Sequence, residues 1–147
     1  MNLTEEPIAP SIKGHGDLIL VVDDEAAIRE RVGDLLEAYA YQTLRAESGN
    51  EALKLLLQYR GSMKLVLTDM MMPGMDGLDL IHALQLHDAS VMVVVMSGFD
   101  TEAHRNVLTA LGVKEILPKP VAPGLLLQTL VRLLPVYACQ VTNRTLG

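Results

Sequence analysis

The sequence predicts an α/β domain in which a parallel sheet is covered by helices on both faces, a doubly wound three-layer arrangement. Three observations carry this. Short apolar runs alternate five times with apolar positions at helical spacing. Two runs, 18–22 and 91–96, are continuously apolar, as strands buried on both faces are. Each run also stops at a polar or turn-forming residue. Right-handed crossovers between parallel strands require such an alternation. At 147 residues the chain has room for one domain of this kind with a sizeable core, and not for two.

Residues 1–16, with Pro7, Pro10, Gly14 and Gly16 among polar neighbours, read as a flexible lead-in. The domain is expected over 17–135, and 136–147 form a tail too short for another domain. The first strand, 18–22, ends in Asp23-Asp24-Glu25. Ile28, Val32, Leu35, Leu36 and Tyr39 then keep helical spacing, predicting an amphipathic helix whose first turn is acidic, as the helix dipole favours. Residues 41–46 make a second strand, and Ser48-Gly49-Asn50-Glu51 is a capping box opening a helix with Ala52, Leu53, Leu56 and Leu57 that ends near Gly61.

The third strand is 65–68, with Asp69 at its carboxyl end, just before a Pro/Gly turn. A helix carrying Leu78, Ile81 and Leu84 follows, with Asp76 as its expected cap. The run 91–96 is the fourth strand and stops at Ser97-Gly98; Asp100 or Thr101 caps a helix with Val107, Leu108 and Leu111, ended by Gly112. Residues 113–117 form the fifth strand, interrupted by Pro118-Lys119-Pro120. The last helix, 125–134, stops before Pro135; its polar stripe is too narrow for a helix with one solvated face, which leaves a contact surface or a place beneath the tail.

Composition excludes several functions. A formal charge of −6 and a pI near 5.1, with no cluster of Lys and Arg, argue against nucleic acid as a direct partner. No apolar run approaches the roughly 18 residues of a membrane span, so no membrane insertion is expected. Cys139 is the single cysteine, which rules out an internal disulfide and a thiolate zinc cluster. The first 16 residues lack the basic start and apolar centre of a signal peptide, so a cytoplasmic location is expected.

In a parallel sheet all carboxyl ends of the strands share one edge, which brings Asp23, Asp24, Asp69, Ser97 and Lys119 to one rim. Three adjacent carboxylates repel one another unless a cation offsets them, and an all-oxygen cluster suits a hard ion such as Mg²⁺. Ser97 can donate a hydrogen bond and Lys119 supplies a point charge, which together suit a phosphoryl group carried on a carboxylate. An aspartyl phosphate is the natural product.

Leu-Val-Val-Asp-Asp-Glu at 20–25, Asp-Met-Met-Met-Pro-Gly-Met-Asp-Gly at 69–77, Met-Ser-Gly at 96–98 and Leu-Pro-Lys-Pro at 117–120 resemble the receiver domain of two-component response regulators. The resemblance covers about 17–135, with four motifs in order, each at a strand end. It implies the flavodoxin-like strand order 2-1-3-4-5. It makes Asp69 the phosphoacceptor, Asp24 a direct Mg²⁺ ligand, Asp23 a ligand acting mainly through water, and the Met71 backbone carbonyl a further ligand. Ser97 takes the place of the switch hydroxyl and Lys119 that of the phosphate-contacting lysine, followed by Pro120 across a bond that is usually cis. The implied partners are a sensor histidine kinase or a histidine phosphotransfer protein. Homodimerisation through the face of the fourth helix, fifth strand and fifth helix is compatible with it.

One departure stands out: many receivers carry an aromatic residue three positions before the lysine, where this chain has Ile116. The resemblance fits either a stand-alone receiver or one inside a larger protein; Gly-His-Gly-Asp at 14–17 looks like the linker preceding receivers of hybrid histidine kinases. A haloacid-dehalogenase-like phosphatase is the alternative, but it needs a second carboxylate two residues after the nucleophile, where Met71 stands. A nucleotide-binding reading lacks a Gly-rich phosphate loop after the first strand. His15, His82, His87 and His104 share no ligand spacing and read as solvated or packing residues. The eight methionines read as adaptable core filler, with Met70 to Met72 beside the proposed pocket.

Overall fold

Apolar, β-branched runs set the sheet, and their alternating side chains set its two cores. The structure, a computed structural model, describes residues 14–75, 77–98 and 101–134. Five strands, β1 (Leu18–Val22), β2 (Gln42–Ala46), β3 (Met63–Asp69), β4 (Met92–Ser97) and β5 (Glu115–Pro118), pair in parallel in the order β2-β1-β3-β4-β5. The helices between and after them are α1 (Ala26–Ala38), α2 (Gly49–Gln58), α3 (Gly77–His87), α4 (Glu102–Ala110) and α5 (Pro123–Leu133).

Leu20, Val22, Val66, Val93, Val95 and Ile116 point to one face, where Leu56 of α2, Leu80, Ile81 and Leu84 of α3 and Leu108 of α4 cover them. Ile19, Val21, Leu65, Leu67, Val94 and Leu117 point to the other, under Val32 and Leu36 of α1 and Leu126, Leu127 and Leu130 of α5. Each fully buried Leu or Ile contributes about 1.5–3 kcal/mol relative to exposure. This double cover explains why β1 reads as an unbroken apolar run.

Local chemistry moves several boundaries. Met63 extends β3 by pairing with Leu18, and Asp69 is itself the last residue of that strand, opposite Met96 of β4. The fifth strand begins at Glu115, because the Val113 N–H donates to Leu108 O and so closes α4. The α5 helix starts at Pro123, earlier than its apolar pattern, since a proline at the first turn gives up an N–H that has no helical partner. Its Val131 and Leu133 stay half-buried, and 135–147 lie outside the described residues.

The expected acidic first turn of α1 is not there: the helix begins at Ala26 and its first turn holds no acid. Asp23, Asp24 and Glu25 form the preceding loop, in which the Glu25 N–H donates to Asp23 Oδ1 at 2.9 Å. Half of the capping box holds: Ser48 Oγ accepts from the Glu51 N–H at 3.1 Å, while Glu51 Oε1 accepts from the N–H of Glu47, the residue before the cap, at 2.8 Å. Thr101 caps α4 by accepting the His104 N–H at 3.2 Å; Asp100 and Asp76, the other caps expected, are outside the described residues. Backbone hydrogen bonds reach back to Gly14, whose N–H donates to Tyr39 O at 2.7 Å, and to Gly16, whose N–H donates to Ala40 O at 2.7 Å; residues 1–13 of the expected lead-in lie outside the described residues. No helix among the described residues is long and apolar enough to cross a membrane.

Candidate functional site

The carboxyl ends of β1, β3, β4 and β5 meet at one rim, because parallel strands all point there. Asp69, at the end of β3, keeps 4% of its surface exposed, and Asp23, directly after β1, keeps none. Asp24 is exposed beside them. One oxygen from each of the three carboxylates lies within 4.8 Å of the others. Beyond β3 the chain turns sharply: the Gly77 N–H donates to Met70 O at 3.0 Å, and a Cβ at 77 would meet Met70 Cα at 2.7 Å. Only glycine lets α3 begin that close to the strand end.

Lys119 reaches the cluster from the far side. Its backbone N–H donates to Ser97 O at 3.0 Å, and the Lys119–Pro120 peptide bond is cis. Its Nζ donates to Asp69 Oδ1 at 3.0 Å and lies 3.3 Å from Asp23 Oδ2. The second contact is an attraction between charges and not a hydrogen bond: Asp23 Oδ2 is buried and accepts none. Asp23 Oδ1 is held by Glu25 N–H, and its carbonyl accepts from Arg29 Nη1 at 2.9 Å.

These contacts set the electrostatics. Burial pushes the Asp23 carboxyl above its ordinary value, and the nearby charge of Asp69 adds to this; the Glu25 N–H and the Lys119 charge work in the other direction. Burial alone would lower the Lys119 pKa, but the hydrogen bond to Asp69 and the charges of Asp23 and Asp69 outweigh it and raise it. With all groups ionised, three carboxylates and one ammonium leave a local charge of −2. An all-oxygen donor set, a net negative charge and a buried Asp23 oxygen without a hydrogen bond together fit a hard divalent cation.

The remaining expected residues fall near the same rim. The Met71 N–H donates to Asp69 Oδ1 at 3.4 Å, which places its backbone against the carboxylate, while its side chain is exposed. Ser97 closes β4, buried, in register with Pro118. Phe99, two residues on, lies outside the described residues. The site also has a member that the sequence reading passed over: His104 of α4 brings Nε2 to 3.4 Å from Ser97 Oγ. The only available signal was its place three residues after the Thr101 cap, which puts it in the first helical turn facing the end of β4. His15, His82 and His87 are exposed.

Comparison with known proteins agrees with this fold. The family described as the response regulator receiver domain matches residues 19–131. Sporulation initiation phosphotransferase F of Bacillus subtilis is 35% identical over 81 residues, which cover 55% of this chain and 64% of that protein. Response regulator MprA of Mycolicibacterium vanbaalenii is 35% identical over 104 residues, covering 71% of this chain and 44% of that one. The chain thus spans about half the length of the curated relatives it matches. The crystal structure of a response regulator receiver protein from Pseudomonas putida superposes with a TM-score of 0.72 at 35% identity, over 81% of this chain and 98% of that one.

Proposed function

The chain belongs to the response regulator receiver domain family, a phosphoacceptor signalling module of two-component systems, and we propose that Asp69 is its phosphoacceptor. The donor is a phosphohistidine on a sensor histidine kinase or a histidine phosphotransfer protein. One observation carries the reading: Lys119 joins Asp69 to Asp23 across the rim, so the carboxylate at the end of β3 is the one held by charge and hydrogen bond at once.

In the transfer, a carboxylate oxygen of Asp69 attacks phosphorus as the bond to the donor's imidazole nitrogen breaks, and the imidazole leaves with its electron pair. Lys119 stabilises charge on the phosphoryl oxygens, and the Ser97 hydroxyl donates to one of them. Asp24, Asp69, the Met71 carbonyl and, mainly through water, Asp23 would hold Mg²⁺, whose chemistry there is to offset the negative charge of carboxylates and phosphoryl group. Burial of Asp23 and Asp69 keeps these interactions strong by limiting solvent around them. The same residues promote loss of the phosphate to water, so the domain governs both its loading and its decay.

An apolar cleft of about 190 Å³ beside Lys119, lined by Ile28 and Val32 of α1 and by Val121 and Pro123, suits a partner approaching the acceptor. The face of α4, β5 and α5 is the proposed output surface and the place for a homodimer; Arg132 Nη2 pairs there with Glu115 Oε1 at 2.6 Å. Incubation with acetyl phosphate and Mg²⁺, followed by mass mapping, tests the assignment: the adduct is expected on Asp69 and is expected to be lost in Asp69→Asn.

A further inference from the structure

The missing aromatic residue leaves open how the state of Asp69 reaches the surface. Ile116 is buried in one core cluster with Leu108 of α4 and Val113, and its aliphatic side chain has no group that could pair with Ser97. A different connection is present. Ser97 is 3% exposed at the end of β4, and its Oγ is 3.4 Å from Nε2 of His104. His104 stands in the first turn of α4, and its backbone N–H is the one that Thr101 Oγ1 accepts at 3.2 Å to cap the helix. Hydroxyl, imidazole and capped helix turn are therefore joined through one residue.

We propose that His104 is the positioning residue that holds the Ser97 hydroxyl in the unphosphorylated form and passes its release to the first turn of α4. This rests on the reading that Ser97 donates to a phosphoryl oxygen on Asp69. A serine hydroxyl sits on one rotor with three staggered positions and carries one proton. When it turns to a phosphoryl oxygen it gives up His104, and the histidine loses its hold on the strand end. Thr101 and the helix terminus then re-form around an imidazole that Ser97 no longer holds. Signal leaves by the amino end of α4, while Ile116 stays packed.

The contact opposes activation, so its removal makes the active form easier to reach. The probe is beryllofluoride with Mg²⁺, a stable mimic of the phosphoryl group, titrated into the full 147-residue chain. A net hydrogen bond corresponds to roughly a 2- to 10-fold change in an equilibrium. His104→Ala is expected to bind beryllofluoride tighter by about that factor, and His104→Gln, which can still reach the hydroxyl with an amide, to return toward the parent. In a Ser97→Ala background, His104→Ala is expected to change nothing. The His104 ring resonances are expected to shift on beryllofluoride binding in the parent and to stay still in Ser97→Ala.

An unchanged or weaker affinity in His104→Ala would overturn the proposal, and so would an equal gain in the Ser97→Ala background, since that would be a general loosening of α4. Ring resonances that ignore beryllofluoride while the parent binds it would overturn it as well. A parent that binds no beryllofluoride would overturn the phosphoacceptor reading itself, which separates the two failures.

Discussion

Lys119 Nζ and Asp69 Oδ1, 50 residues apart in the chain, are 3.0 Å apart in the fold. The cation proposed to meet the incoming phosphate is thus already hydrogen-bonded to the proposed acceptor. The resting pair shields the carboxylates from one another, and it competes for the place of a bound metal ion.

The first expected outcome follows from that competition. Lys119→Ala should bind Mg²⁺ as well as or better than the parent, because a competing charge is gone. Its phosphorylation by acetyl phosphate should be slower by on the order of tenfold, the scale of one hydrogen bond to a charged group. Titration of Mg²⁺ and timed mass analysis of the adduct measure both. Weaker Mg²⁺ binding together with unchanged loading would refute the role given to Lys119.

The two other carboxylates should separate in the same assay. Asp24 is exposed and projects from the loop, whereas both oxygens of Asp23 are confined by burial. Asp24→Ala should abolish the Mg²⁺ dependence of phosphorylation, and Asp23→Ala should retain part of it. Equal losses in both variants would count against this division.

Asp23 also carries a stability cost. The folded protein holds its carboxyl above the ordinary value of 3.8, chiefly through burial. Such a group stabilises the fold below its unfolded pKa, and that contribution is lost as pH rises through the folded value. At neutral pH, without metal, the ionised side chain therefore destabilises the protein. Asp23→Asn should raise the urea midpoint at pH 7 in chelator and should reduce the gain that Mg²⁺ brings to the parent. A lower midpoint for the variant in chelator would contradict the assignment.

Much of this was legible in the chain because each part has a short-range signature. Apolar runs such as 18–22 marked strands, Ser48 and Glu51 marked a cap, and parallel topology alone gathers strand ends to one rim. What escaped depends on side chains meeting across long separations. Nothing near Arg45 announces that it lies over Gly33 of α1, paired with Glu30, Asp34 and Glu37, so that a Cβ at 33 would collide with its guanidinium. His104 escaped for the same reason, since its partner Ser97 lies on β4 and not at helical spacing from it on α4. The acids at 23–25 misled because a helix N-terminus and a metal-binding loop favour the same residue type.

Ala40 supplies a prediction that concerns the backbone alone. It follows α1 with φ at 73°, in the left-handed region, where a Cβ costs roughly 1–2 kcal/mol. Its side chain is exposed, while its N–H and carbonyl keep hydrogen bonds to Glu37 O and from Gly16 N–H. Ala40→Gly should therefore stabilise the fold by about 0.5–1 kcal/mol, net of the extra freedom of glycine in the unfolded chain. Thermal or urea unfolding of the two proteins decides it; a destabilised glycine variant would mean the strain is relieved elsewhere.

We expect access of water to phosphorus to set the lifetime of the phosphorylated form, and Met71 is the described residue whose backbone lies against the proposed acceptor. Hydrolysis requires a water in line with the bond to Asp69. The Met71 N–H points at the Asp69 carboxylate, so the side chain at 71 emerges beside the acceptor, where it is 62% exposed. A thioether is at best a weak hydrogen-bond acceptor and donates nothing, so it excludes a water more readily than it positions one. The aspartyl phosphate of the parent should accordingly decay slowly for a receiver. Met71→Asn and Met71→Glu put a side chain that can orient a water at the same exposed place, and each should speed decay, by several-fold or more, without altering Mg²⁺ affinity, because the proposed ligand there is the backbone carbonyl. Decay is followed by mass after removal of acetyl phosphate, in all three proteins at one Mg²⁺ concentration. Equal lifetimes would mean that water reaches the phosphorus by a path residue 71 does not border, and the control would then have to lie on the β4–α4 side of the rim.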